Sequence, residues 1–152
     1  MKQKRLTVLF GVLSILMIAF IWGNSIQTRA QSSGQSLSLL GWLKPLLDPM
    51  GRIDEELFHV LIRKVAHLAE FAALGLCVGG FTYHLGWLRQ RTYVALPMLI
   101  TLGVAVIDEF IQLFSARGSL VGDIVLDYCG ALVGLALVAT MSRLVKRKRK
   151  GA

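Results

Sequence analysis

The sequence predicts an all-α membrane protein: four transmembrane helices and one sizeable extracytoplasmic loop that contains an interfacial apolar segment. Two observations carry the prediction. Of the 152 residues, 55% are hydrophobic and the mean hydropathy is +0.61, too apolar for a soluble domain of this size. The net charge of +8 is carried mostly at the two ends and in one short middle segment, flanking the apolar runs. That is the distribution of a topology signal. A nucleic-acid-binding chain carries basic residues in a stripe interleaved with aromatics; no such stripe is present, so no nucleic-acid partner is expected and membrane lipid is. One domain, residues 1–152, suffices for this length.

The first span is read at residues 6–23. Its charge-free run follows Lys2, Lys4 and Arg5 and rises about 25 Å as a helix, the short end of what crosses a bilayer. A cleaved signal peptide is the rival. The run exceeds an ordinary signal core, however, and Thr28-Arg29-Ala30 is a poor cleavage site, which favours a retained span. The second span, 60–83, opens with Arg63, Lys64, His67 and Glu70 and is then charge-free. The third, 92–114, has Pro97 in its first turns and Asp108, Glu109 and Gln112 near its end. The fourth, 121–144, carries Asp123 and Asp127 early and closes in Arg143 and the basic run 146–150. That run anchors the helix at anionic inner-leaflet lipid.

Orientation follows from the loops. With a cytoplasmic N-terminus, 11 of the 17 Lys and Arg fall on the cytoplasmic side, and all nine Asp and Glu fall on the other side or in the helix halves leading to it. The expectation is a multi-pass cell-membrane protein with both termini in the cytoplasm. The loop 24–53 is then external: polar from Asn24 and Ser25 to Ser36, apolar over 37–50 with Trp42 and Lys44, residues at home among headgroups. Asp54, Glu55 and Glu56 suit the positive end of a helix leading into the second span. Cys77 and Cys129 make no metal pattern and read as packing residues. His59 and His84 read as interfacial residues.

Folding the topology up brings the polar groups together. Lys64, His67 and Glu70 lie in the outer part of the second span, Asp108, Glu109 and Gln112 at the outer end of the third, and Asp123 and Asp127 at the outer start of the fourth, after a tight turn at Ser115-Ala116-Arg117-Gly118. Lys64, His67, Phe71 and Leu74 follow helical steps, with Glu70 within reach of His67. Asp127, Gly130 and Gly134 share a face that permits close helix approach. Each charge at the bilayer centre costs about 2.5–3.5 kcal/mol on insertion scales, so such residues are paired, hydrated or functional. Structural ion pairing is the bland reading. Five carboxylates against Lys64, His67 and Arg117 leave an acidic excess that a proton or a divalent metal would balance. No cofactor motif is evident, and His67-x-x-Glu70 is a weak metal signal by itself.

The chain resembles the VanZ-like family of bacterial membrane proteins in Ser25-Ile26-Gln27 with Ser36, in Lys64-Val65-Ala66-His67-Leu68-Ala69-Glu70-Phe71 with Leu74-Gly75, in Asp108-Glu109-Phe110-Ile111-Gln112-Leu113-Phe114 with Arg117, and in Asp123-Ile124 through Asp127 and Gly130. It departs at Asp127-Tyr128, where the family often has Asn and a small or polar residue. The resemblance implies a cell-envelope role, and through the family's founding member a link to resistance to the glycopeptide teicoplanin. Two functions compete. One is a non-enzymatic protein that binds an envelope lipid or a glycopeptide-related ligand through Lys64, His67, Glu70, Asp108, Glu109, Gln112, Arg117, Asp123 and Asp127. The other is an intramembrane acid/base or metal-dependent enzyme on a lipid-linked substrate, with His67, Glu70, Asp108 and Glu109 as candidate catalytic residues. No serine, threonine or cysteine with an activating base sits in the cluster, which counts against the enzyme.

Overall fold

The computed structural model describes residues 2–26, 54–114 and 121–150, without the side chains of Glu55, His59, Lys146 and residues 148–150. The expected external loop with its interfacial segment, the turn before the fourth helix with Arg117, and the side chain of His59 lie outside what is described. Four helices make up the described fold: α1 (Lys2–Ile26), α2 (Glu55–Arg89), α3 (Ala95–Phe114) and α4 (Val121–Lys150). All four contain stretches long and apolar enough to cross a membrane. Their outward surface is apolar as well: Ile15 on α1, Leu99 and Phe110 on α3 and Met141 on α4 are each more than 60% exposed. Such a surface belongs in lipid.

Several hydroxyls inside the helices are satisfied where they stand. The hydroxyls of Thr7, Ser14, Thr82 and Thr101 each donate to the carbonyl four residues back, at 2.7–3.0 Å. In hydrocarbon the alternative is an unsatisfied hydroxyl.

α1 and α2 run antiparallel. At one end the His84 Nδ1 lies 2.7 Å from Gln3 Oε1, and its ring stacks on Phe10; at the other, Asn24 meets Glu70. His84, expected as an interfacial anchor, is a half-buried tether between two helices. α2 and α4 run parallel and in intimate contact. A methyl group on Gly130 would overlap the Leu68 carbonyl, and one on Gly134 the Ala72 carbonyl. The small-residue face read in the sequence is thus the surface on which the helices meet. Ile21 of α1, Phe71, Leu74 and Val78 of α2, Val104 and Ala105 of α3 and Ala131 of α4 close the core.

Helix ends differ from the expected spans. α1 continues through Asn24 and Ser25 to Ile26; both side chains find partners on other helices, so neither has to leave for the headgroups. α2 starts at Glu55, capped by Asp54, whose carboxylate accepts from the Glu56 amide at 3.2 Å. It runs past Tyr83 to Arg89 and stops where Gln90 turns left-handed (φ 51°), with the Gln90 and Arg91 amides both donating to the Gly86 carbonyl. Its 35 residues rise about 52 Å, well beyond a hydrocarbon core of about 30 Å. α4 carries its helix on into the basic tail. Cys77 is half-buried and Cys129 is exposed on α4, so Cys129 is not a buried core residue.

Candidate functional site

The up-and-down order returns four polar segments to the same end of the bundle: the end of α1, the first half of α2, the end of α3 and the start of α4. Asp108 is the most deeply placed, with no exposed surface. Its Oδ1 accepts from Ser25 Oγ at 2.6 Å and its Oδ2 from Gln112 Nε2, one turn further along α3, at 2.7 Å. Hydrogen bonds to a charged group of this kind are the strong ones. Glu109, 2% exposed, and Asp127, 1% exposed, are buried beside it. His67 Nδ1 lies 3.7 Å from Asp127 Oδ1. Glu70 accepts from Asn24 Nδ2 at 3.2 Å, so it faces α1 while His67 faces α4. Nearest the surface, Lys64 Nζ lies 3.3 Å from Asp123 Oδ1, with the two side chains 44% and 20% exposed.

Eight of the nine residues expected to form a site therefore gather at one end, and the ninth, Arg117, is outside the described residues. Their burial deepens from the Lys64–Asp123 rim to Asp108. Three further residues join them. Asn24 and Ser25 were read as the start of a polar loop, although Ser25-Ile26-Gln27 was already part of the resemblance. Arg63, which opens the second apolar run, lines the cleft with Lys64, His67, Glu109, Gln112, Asp123 and Asp127.

That cleft holds about 10 Å³, roughly the space one water-sized body requires. A much larger cavity of about 710 Å³ lies at the opposite end, among Thr82, Tyr83, Trp87, Tyr93, Pro97 and Leu135. None of the described acidic residues lines it. Convergent chemistry outweighs volume here.

Chemically, the site offers carboxylates from α2, α3 and α4, one imidazole and a half-exposed ammonium. One donor atom each from His67, Asp108 and Asp127 lie within 4.8 Å of one another.

Fold and cluster together define a polytopic α-helical membrane protein with an acidic centre at one end of its bundle. The model of the VanZ/LLP1 family matches residues 10–142. The chain belongs to that family. No curated protein and no solved structure matches it.

Proposed function

We propose that this VanZ/LLP1 protein is a bacterial cell-envelope protein whose polar cluster lies beneath the outer surface and holds the polar head of an envelope lipid or a glycopeptide-related ligand. The observation that carries the reading is the gradient from a solvent-facing Lys64–Asp123 pair to the buried Glu109, Asp127 and Asp108. An ion pair at a rim exchanges partners readily, because an exposed pair holds its own geometry by about 1 kcal/mol or less. Lys64 then takes an anionic phosphate or carboxylate, and Asp123 an amine or hydroxyl. The interior of about 10 Å³ does not admit a sugar, so the ligand stays at the rim and presents at most one small group inward. The link of the family's founding member to teicoplanin resistance supports a ligand in the envelope.

Native mass spectrometry of the protein purified in mild detergent, with phosphatidylglycerol and a lipid-linked cell-wall precursor as probes, tests this. Lys64→Ala is expected to weaken retention of the anionic headgroup about tenfold, on the scale of losing one charge-assisted contact. Retention by the variant equal to that of the unaltered protein would reject the reading.

One observation favours an intramembrane enzyme instead: His67 stands beside Asp127, with Asp108 and Glu109 buried in the same cluster, an arrangement suited to passing a proton. Loss of turnover with retained headgroup binding in His67→Ala would establish that alternative.

A further inference from the structure

We propose that His67, Asp108 and Asp127 form a binding site for one divalent transition-metal cation, which ties α2, α3 and α4 together beneath the rim. The proposal deepens the reading of the cluster as the functional site and is independent of the headgroup ligand.

Four observations converge. First, the donor atoms come from three different helices and lie within 4.8 Å of one another. Around an ion with bonds of about 2.1 Å, tetrahedral donors stand about 3.4 Å apart, so the side chains close inward by about 1 Å on binding. Second, the Asp127 side chain is 2% exposed, and its Oδ2 is fully buried with no hydrogen-bond partner among the described residues. A buried carboxylate oxygen without a donor is costly unless a cation supplies what the protein does not. Third, Asp108 is already held from behind: Ser25 grips Oδ1 and Gln112 grips Oδ2. Outer hydrogen bonds of this kind fix a carboxylate ligand's orientation and leave lone pairs for the metal. Fourth, the cleft bordered by His67 and Asp127 holds about 10 Å³, a volume for a single ion or water and for nothing larger.

Charge and donor type choose the occupant. Two carboxylates and a neutral imidazole carry a formal charge of −2, which one divalent cation balances. Mixed nitrogen and oxygen donors suit zinc, iron or manganese better than the all-oxygen shell preferred by calcium. Asp127 contributes the charged ligand at the helix position continued by Gly130, so the close approach of α4 to α2 brings it against His67.

The test is metal analysis of protein purified without chelator, followed by zinc titration of chelator-stripped protein monitored by calorimetry and by thermal stability. The unaltered protein is expected to take up about one equivalent and to melt higher with zinc present. Asp127→Asn and His67→Gln are expected to lower affinity about tenfold or more, whereas Gly103→Ala, at a position on α3 that has open space and does not line the cleft, leaves uptake unchanged. Failure of the unaltered protein to bind one equivalent overturns the site even if a variant does not fold. Equal uptake by Asp127→Asn and the unaltered chain overturns it too. Normal metal uptake alongside absent headgroup binding would leave this site standing and remove only the lipid reading.

Discussion

Asp108 shows how much the environment of one residue decides. A carboxylate with no exposed surface is tolerable because Ser25 and Gln112 both donate to it. Replacing Ser25 by Ala removes one donor and leaves a buried charged acceptor short, at a cost of about 1.5–3 kcal/mol. Chemical denaturation in detergent is expected to report that loss. Gln3→Ala is expected to cost less, about 1 kcal/mol, because the His84 ring keeps its stacking on Phe10. Acids and bases such as His67, Glu70 and Asp127 were legible in the sequence, since a charge within an apolar run has to have a reason. Asn24 and Ser25 were not. They sit where hydropathy falls away, and a hydropathy boundary marks the edge of the lipid rather than the end of the hydrogen-bonded helix.

At the scale of elements, contact between α2 and α4 rests on backbone approaching backbone. Gly134→Val is expected to destabilise the bundle by about 1–3 kcal/mol, because the new side chain meets the Ala72 carbonyl and the Leu76 amide and the helices have to part. Gly103 on α3 has open space where a Cβ would stand, so Gly103→Ala is expected to be neutral or to stabilise by up to about 1 kcal/mol through helix propensity. Melting curves of the two variants against the unaltered chain separate these outcomes. The small-residue spacing on α4 was readable beforehand, as was the acidic start of α2, where Asp54 caps the helix. The helix that α2 continues past Tyr83 was not, because His84 and Gly86 read locally as a connection. What holds His84 in the helix is Gln3 and Phe10, more than 70 residues away in the chain.

For the whole molecule, four spans would put both termini on one side of the membrane, and the charge distribution predicts that this side is the cytoplasm. Single cysteines placed at Lys2 and at Gly151, with Cys77 and Cys129 replaced by serine, test this in intact cells. Both are expected to resist a membrane-impermeant thiol reagent until the cells are opened; labelling of one terminus alone would refute four crossings. In that orientation the polar cluster would lie under the outer surface and the larger cavity toward the cytoplasm. A bilayer crossing is a one-dimensional problem: apolar length counts the spans, and flanking charges order them. Sequence by itself therefore indicated the four apolar helices found among the described residues and grouped the acids of α2, α3 and α4 at one end. Depth says nothing about rotation. Only the tertiary structure decided that Glu70 turns to Asn24 and His67 to Asp127, that α1 supplies Ser25, and that the cleft beside His67 and Asp127 holds about 10 Å³. Those outcomes depend on how each helix is turned about its axis, and that is set by packing between residues far apart in the chain.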